Sequence, residues 1–157
     1  MYVSQSVVEE YPFLSKIQNY FRRKRVRRFI ETFHIDEKTK ILDLGGEPYF
    51  WQNFPIKCKI YCLNIHEMKS GLDNIITIRY DGNNIPFPNK YFDIVHSNSV
   101  IEHVGCFNSQ MHFSKEIQRA AKNFWVQVPY CYFFWEPHDF FPFFQFMPSN
   151  FKILIIK

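Results

Sequence analysis

The chain has 157 residues, 46% hydrophobic and 22% charged, which suits one domain with a buried core and excludes both a disordered chain and a two-domain enzyme. Its net charge of +4 lies entirely in residues 1–40, which carry nine Lys or Arg against five Asp or Glu, while the remainder is neutral. No run approaches the roughly 20 apolar residues of a membrane span, and Met1 is not followed by a basic then apolar signal segment, so a cytoplasmic location is expected.

From Tyr11 to His34 the apolar spacing is helical, with Leu14, Ile17 and Phe21 on one stripe and Val26, Phe29, Ile30 and Phe33 on another. One bent helix or two short ones are expected. Between the stripes, residues 22–28 hold six cations in seven positions. They read equally as a solvated helix face and as a surface for phosphates or anionic lipid.

After His34 the period becomes strand-like. Short, nearly continuous apolar runs at Lys40 to Leu44, Cys58 to Ile65, Ile75 to Tyr80, Phe92 to His96 and Asn123 to Val128 predict five parallel strands buried on both faces. Ser109 to Lys122 reads as a helix, with Ser109 as N-cap and Met111, Ile117 and Ala121 toward the sheet. Alternating strands and helices imply a three-layer α/β sandwich. From Tyr132 to Phe146 nine of fifteen residues are aromatic, and this stretch is expected to form a loop over the carboxyl edge of the sheet. We draw one domain over 1–157, made of a basic helical segment (1–38), a core (39–130) and an aromatic segment (131–157).

The cysteines Cys58, Cys62, Cys106 and Cys131 are too few for a disulfide scaffold and are read as reduced, buried thiols. A zinc site at Cys58, Cys62 and His66 fails on geometry, because residues four apart on a strand are about 13 Å from each other. His66, His96 and His112 are read as structural or surface residues.

In open α/β sheets ligands bind beyond the carboxyl ends of the strands. The first strand ends Asp43-Leu44-Gly45-Gly46-Glu47-Pro48, the second at Asn64, the third at Asp81-Gly82-Asn83-Asn84, and the fourth runs His96-Ser97-Asn98-Ser99-Val100-Ile101-Glu102-His103. In order and spacing, these ends resemble the class I S-adenosylmethionine-dependent methyltransferases from about Ile41 to Pro148.

That resemblance implies a Rossmann-like, mainly parallel sheet of order 3-2-1-4-5, shortened at its C-terminus, and S-adenosylmethionine as cofactor. It further implies that Asp43, Gly45 and Gly46 shape the pocket for the methionine half, with Glu47 beside them. Asn64 is then expected to bond the ribose, Asp81 the adenine amino group with Gly82 next to it, and Ser97, Asn98 and Ser99 to border the methionine and sulfonium.

The sequence departs from the family pattern in three places. Glu47 and Tyr49 stand where later glycines are usual, Asn64 stands where an acid is usual, and the chain stops about 28 residues after strand five, too early for the usual sixth and seventh strands. Glu67 is a substitute for Asn64 if the loop curls back. These departures leave open a non-catalytic member kept as a binding module.

Should the acceptor need to lose a proton, His103 and His138 are the candidate bases, since imidazole titrates in the right range. The expected partner is a small-molecule acceptor, apolar or amphipathic to suit the aromatic segment. An anionic membrane or nucleic acid bound through residues 22–28, and a second copy of the chain covering exposed apolar surface, are further expected partners.

Overall fold

The computed structural model describes residues 12–128. The aromatic segment Tyr132 to Phe146 with Glu136 and His138, the strand expected within Phe151 to Ile156, and Cys131 all lie outside the described residues. Two compact units divide the chain, with a boundary between Arg22 and Arg23. The sheet and the site belong to the unit Arg23–Val128.

The N-terminal pattern forms one helix, α1 (Pro12–Phe33). Val26 and Phe29 are buried and Ile30 and Phe33 partly so, while Arg23, Lys24, Arg25, Arg27 and Arg28 are exposed. The helix ends in a Schellman-type turn: His34 takes φ +50°, and the Ile35 N–H donates to the Ile30 carbonyl at 3.2 Å.

Five strands follow, β1 (Lys40–Leu44), β2 (Lys59–Asn64), β3 (Ile75–Arg79), β4 (Phe92–Asn98) and β5 (Ala121–Gln127). They form one parallel sheet in the order β3-β2-β1-β4-β5, as expected. Two helices intervene, α2 (Pro48–Gln52) between β1 and β2 and α3 (Phe107–Ala120) between β4 and β5.

Alternation along the strands sorts the core into two layers. Ile41, Ile60, Cys62, Ile75 and Ile94 pack with Phe29 of α1 and Trp51 of α2. Leu42, Leu44, Leu63 and Val95 pack with Phe113, Ile117 and Ala120 of α3. Helices thus cover both faces.

Three local expectations are corrected. Ser109 lies inside α3, and Cys106 occupies the N-cap position without a side-chain capping bond. Met111 is 43% exposed and Ala121 already belongs to β5, so the buried stripe is Phe113, Ile117 and Ala120. The helix starts earlier than its pattern because Phe107, 71% exposed, contributes no periodic signal. Cys106 is exposed, unlike Cys58 and Cys62.

No residue separates α3 from β5. Lys90, at φ +56°, holds the joint by donating its Nζ to the Gln118 and Ala121 carbonyls at 2.6 and 2.8 Å. Arg119 reaches back to the Ile85 and Phe87 carbonyls at 2.8 and 2.7 Å and pairs with Glu116 at 2.7 Å. Glu116 in turn accepts from the Ile85 N–H at 2.9 Å. Among the described residues, no helix is long and apolar enough to cross a membrane.

Candidate cofactor site

The chain leaves β1 through Gly45 and Gly46, and each glycine is required for a different reason. Gly45 has φ +78°, and a Cβ there would stand 2.6 Å from Val100 Cγ2. Gly46 has no such dihedral requirement; a Cβ there would overlap the Asp43 carboxylate. The turn is tied to β2 by the Gly45 N–H, which donates to the Leu63 carbonyl at 2.7 Å.

Asn64, 5% exposed, supports the same turn. Its amide nitrogen donates to the Gly45 and Gly46 carbonyls at 3.2 and 3.3 Å, and its oxygen accepts from the His66 N–H at 3.2 Å. Asn64 thus supplies the donor that both turn carbonyls accept from. The Asn64 carbonyl accepts from the Tyr80 N–H at 3.1 Å, which places the end of β3 alongside.

Beyond β3, Asp81 is exposed and folds its carboxylate into the next turn. Oδ1 accepts from the Asn83 and Asn84 N–H groups at 2.8 and 3.3 Å, and the Asn83 bond leads in holding this carboxyl below the usual range. Oδ2 has only a long contact of 3.5 Å to the Asn83 amide. Burial first, and the Asp81 charge second, push the neighbouring Tyr80 phenol up to about 12. Ile65, Arg79, Tyr80 and Asp81 line a cavity of about 510 Å³. Gly82 takes φ +83° beside Ile65.

Beyond β4, Ser97 is buried and donates its Oγ to the Leu44 carbonyl at 3.0 Å. Asn98 and Ser99 are exposed. Ser99 takes φ +56°, and its N–H donates to the Gln127 carbonyl at 2.9 Å. Val100 then packs toward Gly45, and a 3-10 turn (Ile101–His103) carries the exposed His103. Both carboxylate oxygens of Glu102 are buried with no hydrogen-bond partner among the described residues. The sequence reading gave this residue no role.

The predicted residues thus divide. Gly45, Gly46, Asn64, Asp81, Gly82 and Ser99 gather at one edge through the contacts above, with Val100, which was not predicted, packed against Gly45. Asp43 lies beneath the same turn, its carboxylate against Gly46, on the layer of Ile41 and Trp51. It is 1% exposed, and its two oxygens bond the Trp51 Nε1–H and His96 Nδ1, each at 2.7 Å. Asp43, Asn64 and Ser97 therefore spend their polar atoms inside the protein. His96 is buried and structural, one of the two readings expected of it.

Residues 52–123 match the family model for the methyltransferase domain. Over that stretch the chain is similar to the methyltransferase domain. A SAM-dependent methyltransferase from Aquifex aeolicus shares its fold with a TM-score of 0.56 at 19% identity, over 83% of this chain and 76% of that one. The YcgJ protein from Bacillus subtilis gives a TM-score of 0.54 at 17% identity, over 66% of this chain and 50% of that one. The chain thus spans about half the length of the Bacillus protein. No curated protein matches it.

Proposed function

We propose that the chain binds S-adenosylmethionine at the carboxyl ends of β1 to β3 and transfers its methyl group to a small-molecule acceptor. One observation carries the reading. Asn64, whose amide bonds the carbonyls of the Gly45–Gly46 turn, is followed by Ile65 and accepts from the Tyr80 N–H, and Ile65, Tyr80 and Asp81 line the cavity.

The residues present fit the cofactor. Ile65 and Tyr80 offer apolar surface for a flat base, and Asp81 Oδ2 is the carboxylate oxygen left to accept from an exocyclic amine. The turn carries no side chain at Gly45 or Gly46, so a ligand can approach its backbone. The ribose is then held by Glu67, exposed after β2, because Asn64 has committed its donors. The cofactor supplies an electrophilic methyl on a sulfonium; the protein has to align the acceptor and exclude water. His103 is the candidate base on the loop after β4, and His138, outside the described residues, is the other. An apolar or amphipathic acceptor suits the aromatic segment 131–157.

Isothermal titration with S-adenosylhomocysteine tests the cofactor. Micromolar binding by the intact chain, weakened about tenfold or more in Asp81→Ala, supports the site. Absence of binding would remove the enzymatic reading and favour a binding module.

The exposed Arg23, Lys24, Arg27 and Arg28 of α1 favour a second, compatible activity, docking to an anionic membrane or nucleic acid. Its signature is affinity that falls steeply with added salt.

A further inference from the structure

Asp43, His96 and Trp51 form a buried polar cluster that the cofactor reading leaves without a task. The carboxylate is 1% exposed and cannot reach a ligand in the cavity. Trp51 Nε1 can only donate, and an ionised Asp43 requires His96 Nδ1 to carry the hydrogen in the second bond. The imidazole cannot swing away, because the rings of Phe29, Phe50 and Trp51 stand 5.3, 5.6 and 5.0 Å from it.

The position of this cluster gives it a purpose. The Gly46 backbone lies so close to the Asp43 carboxylate that a Cβ would overlap it. Trp51 belongs to α2, which begins at Pro48. The turn of residues 45–47 is therefore anchored on β1 through Asp43 and, four residues on, through the indole that grips the same carboxylate. Glu47 and Tyr49 occupy positions where further glycines would otherwise shape the loop.

We propose that Trp51 and His96 are positioning residues for the cofactor: they lock the Asp43 carboxylate and so set the path of the Gly45 to Glu47 backbone against the ligand. The inference rests on the cofactor reading given above. It assigns a place to two residues that do not touch the cavity.

The test uses the full chain, with S-adenosylhomocysteine affinity by calorimetry and amide exchange at residues 45–47 by mass spectrometry. Trp51→Phe keeps a ring but loses the N–H. It should weaken affinity about three- to tenfold, the range of one lost hydrogen bond, and speed exchange in the turn. Ile117→Ala, on the opposite layer, should lower stability without changing the affinity of the folded protein.

Parent-like affinity and exchange in Trp51→Phe would overturn the proposal, as would a parallel loss of affinity in Ile117→Ala. Should Trp51→Phe not fold, His96→Gln, which restores a donor, is compared with His96→Leu. Rescue by Gln alone supports positioning, and equal affinity of both with the parent overturns it. A parent chain that binds no S-adenosylhomocysteine sinks the cofactor reading, and exchange alone then decides. Faster exchange in Trp51→Phe sustains the lock, and unchanged exchange refutes it.

Discussion

Gly45 and Val100 exclude one another: the space a Cβ on Gly45 would take is filled by the Val100 side chain, 2.6 Å away at Cγ2. Two costs, steric and dihedral, therefore meet at one position and can be separated. Gly45→Ala should lose about 2–4 kcal/mol, combining φ > 0 strain with overpacking. Adding Val100→Ala should recover only the overpacking part and leave about 1 kcal/mol that belongs to the dihedral. Urea denaturation of the four proteins in the cycle measures both. Full recovery in the double variant would show that the backbone is not strained there.

The family's acid at the end of β2 is predicted to be harmful here. Asn64→Asp replaces a donor to the Gly45 and Gly46 carbonyls with a second acceptor, and the site is 95% shielded. A loss of about 2–3 kcal/mol is expected, because two carbonyls lose their partner and face a buried charge. Cofactor affinity should fall with it. A more stable or tighter-binding Asn64→Asp would mean that the amide contacts are dispensable.

Glu116 ties α3 to the loop before β4. The Arg119 guanidinium first, and the Ile85 N–H after it, hold its carboxyl below the ordinary value of 4.5. A lowered folded-state pKa gives a contribution that is complete above pH 4.5 and fades as pH falls toward and through the folded value. Glu116→Gln should cost about 1–2 kcal/mol at pH 7 and progressively less below pH 4.5. Melting temperatures of both proteins from pH 7 to pH 3 should therefore converge. Parallel curves would remove Glu116 from the acid transition.

Thiol reactivity should rank by environment. The Ser109 hydroxyl, 3.5 Å away, leads in lowering the Cys106 pKa, whereas burial pushes Cys58 up to about 11 and raises Cys62 further. Because the thiolate is the reactive form, iodoacetamide at pH 7.5 should label Cys106 while sparing Cys58 and Cys62 until denaturant is added. Ser109→Ala should slow labelling at Cys106. Peptide mapping reads all three positions, and equal rates in the native protein would contradict the burial.

The five strands were legible because strands buried on both faces leave unbroken apolar runs such as Lys40 to Leu44, whereas their order was legible only through the resemblance. Strand ends were legible as a set of polar positions, but not their orientation. Asp43 shares its face with Ile41, two residues earlier, and the period-2 rule alone would have turned it away from the crevice. Trp51 escaped notice because α2 is a helix of five residues, too short for periodicity, although Pro48 at its start was a usable signal. The partnership of Trp51, Asp43 and His96 joins three separate elements. No local pattern records it.

The direct passage from Ala120 to Ala121 makes chain length a structural variable in its own right. A connecting loop would absorb an inserted residue, but this joint has no slack, and Lys90 grips both sides of it. One extra residue would shift β5 by half a pleat period and exchange its two faces. Phe124 and Val126, now outward, would turn toward the layer that receives Trp125. An insertion at this joint would therefore have to be met by rebuilding the whole edge of the sheet at once.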